Sequence, residues 1–299
     1  MNQRGASGSV ERVAGNGALP KVIIRASDGA SAEVYLQGAH ITSWCPAPGK
    51  EEWLFLSARS QFRDGVAIRG GIPVIFPQFA TEGPLPRHGF ARTTQWAFVS
   101  EQEEADGTIA ATFSLEQTPA TLAVWPMSFR ALLTVRVGGA RLVVTFTVEN
   151  TGSRPFDFTA ALHSYFALDD VHNAEIVGLQ NGRYRVSQTE MQFDEAETLR
   201  VSGEIDRVYV GAPSHLTLRE PGRQLSIQRA KFPDVVVWNP GAEKAAQLAD
   251  MEPGGSRRML CIEAAAVQEP IEVRPGRSWW GSQTLIAHPR EADVPVRTA

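Results

Sequence analysis

Phe129-Arg-Ala-Leu-Leu-Thr-Val-Arg-Val137 and Arg141-Leu-Val-Val-Thr-Phe-Thr-Val148 flank the pair Gly138-Gly139. Except at Leu132 and Val143, each arm alternates apolar with polar or basic residues, the pattern of a half-buried strand, and a Gly-Gly pair between two such arms marks an antiparallel hairpin. Asn150-Thr-Gly152 makes the next turn. Phe156-Asp-Phe-Thr-Ala-Ala-Leu-His-Ser-Tyr-Phe166 follows, with Phe156, Phe158, Ala160, Leu162 and Phe166 on one face. Asp157, Thr159, His163 and Tyr165 share the other.

The same style extends both ways. Upstream, strand patterns cover Lys21–Arg25, Ala32–Leu36, Gly38–Trp44, Thr94–Val99 and Thr108–Ser114, with Asp28-Gly29 as a turn. Downstream they recur near 174–178, 183–187, 215–219, 223–228, 235–238 and 281–287. Only Ala242–Asp250 reads as a helix, through its Ala-rich propensity. Many short strands and almost no helix predict an all-β, single-domain antiparallel β-sandwich. Its span is 19–291, between flexible tails at 1–18 and 292–299.

Composition narrows the function. The 299 residues are 43% hydrophobic and 21% charged, enough for a large core. A net charge of −4 points to neither nucleic acid nor an anionic membrane, though a local arginine cluster can still bind anions. Cys45 and Cys261 are the only cysteines and form no C-x-x-C pair, so reduced thiols in a cytoplasmic protein are expected. The N-terminus has no apolar signal-peptide core, and no apolar run approaches the ~20 residues of a membrane helix.

Chemistry concentrates in three places. Met259-Leu-Cys-Ile-Glu263-Ala-Ala-Ala-Val267 reads as a buried strand carrying one carboxylate. Met259, Cys261, Glu263 and Ala265 share a face, and a Glu so flanked either raises its pKa or finds a partner. A strand-end Glu reaching solvent is the alternative. His163, on the polar face of its strand, suits either a satisfied surface histidine or a general acid or base. Residues 66–92 are dense in Gly and Pro and carry Arg69, Arg87, His88 and Arg92. Arginines recognise phosphate through a bidentate fork, and Gly70, Gly71 and Gly89 permit close backbone approach. Three solvated surface arginines would read the same way. Asp206 is a lone loop carboxylate suited to sugar hydroxyls or to turn capping, and Trp238 to sugar stacking or the core.

Other chemistries lack their signatures. The six histidines are scattered and no H-E-x-x-H is present. Gly49-Lys50 lacks the Ser or Thr of a phosphate loop, and neither G-x-G-x-x-G nor G-x-S-x-G occurs. A glycosidase needs two carboxylates, for which Glu263 and Asp206 have no supporting spacing.

Five motifs together resemble the hexose-6-phosphate mutarotases, the glucose-6-phosphate 1-epimerase branch of the aldose 1-epimerase superfamily. They are Ile68–Pro77, Leu85-Pro-Arg-His-Gly-Phe-Ala-Arg92, Leu162-His-Ser-Tyr-Phe166, Val235-Val-Val-Trp-Asn-Pro240 and Cys261-Ile-Glu263. The resemblance runs from about residue 20 to 290. It implies a galactose-mutarotase-like β-sandwich that interconverts the α and β anomers of a hexose 6-phosphate. It implies no metal or organic cofactor and a small sugar phosphate as partner; a monomer is expected. Residue by residue, His163 and Glu263 match the catalytic pair, Arg69 and Arg92 the substrate-binding arginines, and Asp206 a substrate-binding aspartate. Arg87, His88 and Trp238 complete the expected substrate set. Position 87 departs from the family, which often carries Gln there; Arg87 keeps donor capacity and adds a charge.

Acid–base logic then gives Glu263 as base at the C1 hydroxyl and His163 as acid at the ring oxygen. The ring opens, the C1–C2 bond rotates, and the aldehyde closes on its other face. Two rivals stand beside this reading: an enzyme for unphosphorylated aldoses, and a non-catalytic sugar-binding sandwich.

Overall fold

The computed structural model of the chain describes residues 7–47, 49–186, 191–193 and 197–288. Two large antiparallel sheets, of eight and nine strands, are joined by a four-stranded sheet from the first 45 residues. The Gly138-Gly139 hairpin lies within the nine-stranded sheet, pairing Phe129–Gly138 with Arg141–Asn150 from Phe129↔Asn150 to Gly138↔Arg141. Its inward residues, including Leu133, Val135, Val144 and Phe146, meet Leu162, Phe166, Leu260 and Ile262 of the eight-stranded sheet in one core. The predicted antiparallel sandwich is the observed fold.

Alternation sorts the two strands that matter most. In Met259–Val273, Leu260, Ile262 and Ala264 enter the main core. Met259 and Cys261 pack with Phe55 and Tyr165 in a smaller cluster on the opposite face, and Ala265 joins another with Ile75 and Val236. Phe156, Phe158, Ala160, Leu162 and Phe166 all enter the main core, as their shared parity predicts.

The structure departs from expectation in four places. Phe156–Phe166 is two strands, Phe156–Leu162 and Tyr165–Ala167, interrupted at His163 and Ser164. Ser9–Ala14, expected in the mobile tail, is a strand paired with Pro20–Arg25, and Val10 packs against the core. Pro119–Val124 forms a helix besides Gly241–Gln247. Its capping box uses Thr118 and Thr121, with Thr where Glu or Gln is usual, which hides the signal. Strands also form at Thr198–Arg200 and at Ile205–Tyr209, which puts Asp206, expected in a loop, on a strand paired with Trp238. The expected tail at 292–299 lies outside the described residues.

Candidate active site

Strand register builds the site. Leu162↔Ala264 and Tyr165↔Cys261 pair in one continuous register, which sets His163 opposite Glu263 although the ladder lapses there. Opposed side chains on one face of a sheet stand about 4.5–5.5 Å apart at Cβ, within reach of a direct contact. His163 Nε2 lies 3.2 Å from Glu263 Oε1. The next row of that face runs Asp206, Trp238, Cys261, Tyr165, from the pairings Asp206↔Trp238 and Trp238↔Cys261. Four of the candidate residues thus come together because sheet pairing puts them there.

The lapse in the ladder is itself held in place. His163 donates its backbone N–H to the Pro73 carbonyl at 3.0 Å. Ser164 points the other way and donates its hydroxyl at 2.6 Å to Gln283 of the nine-stranded sheet, which also binds the Ile262 carbonyl. The histidine backbone is fastened to both sheets.

The segment 69–92 wraps the sheet face. Tyr165 N–H binds the Gly71 carbonyl and Gly71 N–H binds that of Phe55. Gly70 and Gly71 have φ of +115° and +62°, and a Cβ there would sit 2.3 Å from the Phe55 oxygen and 2.1 Å from the Ile41 oxygen. Glycine is therefore required at both, by conformation and by space. Farther on, Phe76 packs against Trp125, Phe129, Phe146 and Phe158 and meets Phe90 at the loop's other stem. Between those stems Gln78 binds Leu85 in both directions, and Arg185 clamps Glu82 with two charge-assisted hydrogen bonds.

Each arginine has a distinct setting. Arg69 gives Nε and Nη2 to Asp250 at 3.2 and 3.1 Å and Nη1 to the Tyr165 hydroxyl at 3.0 Å. Arg92 donates only to the Arg87 carbonyl; its Nε is buried without a partner, and it makes no ion pair among the described residues. Burial first, then the Arg69 and Arg87 charges, lower its pKa against the opposing effects of Tyr165 and Asp250. Arg87 is exposed at the rim.

Burial also shapes the acid–base groups. Glu263, 1% exposed, has its carboxyl pushed well above the usual range by burial, with Asp206 adding and Arg92 opposing. Burial, His88, Arg92 and Arg69 pull His163 well below the usual imidazole value. The direction for both is the same: burial favours the uncharged form of carboxyl and ring alike. Glu263 Oε2 and His163 Nδ1 are buried without partners. Asp206 is raised too, chiefly by burial. His88 Nδ1 accepts the Ala80 N–H at 3.2 Å, so a neutral ring carries its proton on Nε2. Burial and three arginines bring its pKa down to about 2.

His40, buried behind the Gly70-Gly71 turn, contacts the Gly70 carbonyl through Nε2 at 2.7 Å, and burial holds its pKa at about 4. Unfolded, His40 and His88 bind protons below pH 6.5; folded, they do not until about 4 and about 2. Stability is therefore lost as pH falls below 6.5, by roughly 2 kcal/mol for each at pH 5. The raised carboxyls of Glu263 and Asp206 act in the opposite sense, so a variant isolates the histidine effect. His40→Gln keeps a donor to Gly70 and should remove about 2 kcal/mol of the stability change between pH 7 and pH 5, read from urea midpoints. An unchanged pH slope would contradict a neutral buried His40.

A cleft of about 430 Å³ lies elsewhere, lined by Lys21, Glu33, Tyr35, Glu52, Glu252 and Arg258 among others. Its charges are satisfied internally by Lys21–Glu33 and Arg258–Glu252 pairs, and Glu52 binds the Trp44 and Leu54 amides. The perturbed groups converge instead at His163 and Glu263, and we take that as the candidate site.

Sequence reasoning missed Asp250 and gave Tyr165 no role. Tyr165 had a signal, standing two residues after His163 on the same face. Asp250 had none, being 181 residues from Arg69.

The aldose 1-epimerase family model matches residues 20–285. A protein of Cenchrus ciliaris named "Putative glucose-6-phosphate 1-epimerase" is 36% identical over 282 residues, covering 91% of this chain and 85% of its own length. One of the same name from Escherichia coli is 35% identical over 245 residues, 80% of each chain. The crystal structure of "a putative mutarotase (YeaD)" from Salmonella typhimurium superposes with a TM-score of 0.85 at 28% identity, covering 97% of this chain and 96% of that one. The chain belongs to the aldose 1-epimerase family. Its chemistry is that of a sugar epimerase, or mutarotase. Among the described residues, no helix is long and apolar enough to cross a membrane.

Proposed function

We propose that this protein is a hexose-6-phosphate mutarotase, with D-glucose 6-phosphate its substrate. One observation carries the reading: the His163–Glu263 contact lies beside Arg92, a half-buried cation whose Nε is buried without a partner and which makes no ion pair among the described residues. A buried donor left unsatisfied is costly, and a phosphate supplies an acceptor of the matching charge. The relatives' names agree on the substrate. Arg69 and Arg87 add to the field, while Asp206, Trp238 and the His88 Nε2–H face the sugar ring. All these groups come from one chain, which suits a monomer, and the two free cysteines suit a cytoplasmic enzyme.

The mechanism follows from the pair. The two oxygens that must exchange protons sit on one hemiacetal carbon, so a base and an acid in mutual contact reach both. Transfer of the shared proton from Glu263 to His163 gives the working form, carboxylate and imidazolium, without changing the pair's net charge. Glu263 then takes the proton of the C1 hydroxyl while His163 Nε2 protonates the ring oxygen, and the C1–ring oxygen bond breaks. Rotation about C1–C2 and the reverse transfers give the other anomer. Each group contributes about 10²–10⁴-fold.

A pH dependence follows. The pair works while it holds one proton. A second proton, on His163, removes the base; with the His163 pKa lowered, that limb falls below the ordinary 6.5. Loss of the shared proton removes the acid; with Glu263 raised, that limb lies above the carboxylate range. At saturating substrate kcat should hold level through pH 6.5, and a limb centred there would contradict the account.

The substrate assignment is tested by comparing glucose 6-phosphate with glucose. We expect kcat/KM for the phosphosugar to be at least tenfold higher, since one charge-assisted contact is worth about 1.5–3 kcal/mol. Equal values would return the protein to the unphosphorylated aldoses. Arg87→Gln should change KM only modestly and weaken its salt dependence, because an exposed, screened cation gives way to a neutral donor. An unaltered salt slope would remove Arg87 from the phosphate field.

A further inference from the structure

Catalytic histidines are usually oriented by a hydrogen bond on the nitrogen away from the substrate. His163 Nδ1 has none. Beyond the Nε2–Glu263 contact, its ring is held by packing. The Tyr165 ring lies flat on the imidazole, centroids 4.8 Å apart and planes 8° from parallel, while Trp238 and His88 touch it edge-on. Tyr165 is 3% exposed, and a phenol so buried needs a partner for its hydroxyl. That partner is Arg69 Nη1 at 3.0 Å. Asp250 takes the other side of the same guanidinium. One side chain therefore touches both a phosphate-arm arginine and the acid.

We propose that Tyr165 is a positioning residue with two separable tasks: its hydroxyl sets the Arg69 guanidinium for the substrate phosphate, and its ring sets the His163 plane against Glu263. The first task rests on the phosphosugar reading; the second does not. Its neighbours favour this split. Arg69 keeps Asp250 when the phenol is lost, so it loosens rather than leaves. Once the flat contact is removed, His163 keeps its Glu263 contact and the Trp238 and His88 edges, none of which lies against the face of the ring.

Two variants separate the tasks. Tyr165→Phe keeps the stack and deletes the hydroxyl; it should raise KM for glucose 6-phosphate about fivefold, leave KM for glucose unchanged and keep kcat within twofold. Tyr165→Leu deletes both; it should also lower kcat at least tenfold and move the pH profile of kcat. The His163 imidazole ¹⁵N resonances should shift in Tyr165→Leu and stay in Tyr165→Phe. If wild-type enzyme turns over glucose 6-phosphate and Tyr165→Phe leaves KM unchanged, the proposal fails while the mutarotase reading stands. If wild-type protein does not act on glucose 6-phosphate, that reading fails, and with it the hydroxyl's task. The imidazole resonances then decide the ring's task alone, and unmoved signals in a folded Tyr165→Leu overturn it.

Discussion

Glu263→Gln lowers kcat for glucose 6-phosphate by about 10²–10⁴-fold and leaves KM within a few-fold. The amide keeps the shape of the carboxyl but cannot take the C1 proton, whereas the arginines that hold the phosphate are untouched. The protein should remain folded, because a neutral amide of the same shape replaces a carboxyl whose charged form burial disfavours. His163→Asn should behave alike through loss of the acid. The double variant should cost far less than the product of the single losses, since the two groups share one proton and act as a unit. Near-wild-type kcat in Glu263→Gln would transfer the base role to another carboxyl of that face, and Asp206 is the candidate.

Arg92→Ala raises KM for glucose 6-phosphate about ten- to a hundredfold, through loss of a charge-assisted contact. A structural reading of Arg92 predicts the opposite companion effect, so stability separates the two. Partial burial of a cation that makes no ion pair among the described residues disfavours the empty protein. Arg92→Met, which keeps the aliphatic stem and drops the charge, should therefore raise the Tm of the unliganded enzyme by about 2 °C or more while abolishing the phosphosugar preference. Glucose 6-phosphate should stabilise wild type against heat, and that ligand effect should largely vanish in the variant. A lowered Tm with unchanged KM would make Arg92 a packing residue.

Part of this site is legible in the sequence because a sheet with one face in the core sorts its residues by parity. Alternation alone divides Phe158 and Leu162 from His163 and Tyr165, and Leu260 and Ile262 from Cys261 and Glu263. The glycines at 70 and 71 are legible for the same kind of reason, since close backbone approach tolerates nothing larger. Register is not. That His163 stands opposite Glu263 depends on bulges and turns a hundred residues apart, including the shift between Phe158 and Ala160. The state of the arginines is also hidden. Clustering at 69, 87 and 92 does not say that Arg69 is tied to Asp250, Arg92 half-buried without an ion pair among the described residues and Arg87 left at the rim. Asp250, which the sequence pattern places only at a helix end, joins the site through a contact between distant segments. The family motifs name roles without geometry; the geometry supplies the His163–Glu263 contact and the place of Tyr165.

The central claim is that His163 and Glu263 exchange the anomers of a phosphorylated hexose by opening and closing its ring. Two-dimensional exchange NMR on α- and β-D-glucose 6-phosphate with the purified protein tests it most directly. The account predicts exchange cross-peaks that grow with enzyme concentration above the spontaneous rate and fall to that rate in Glu263→Gln. Cross-peaks no faster than the spontaneous reaction, from a folded protein that binds the phosphosugar, would contradict it and leave a sugar-phosphate binder.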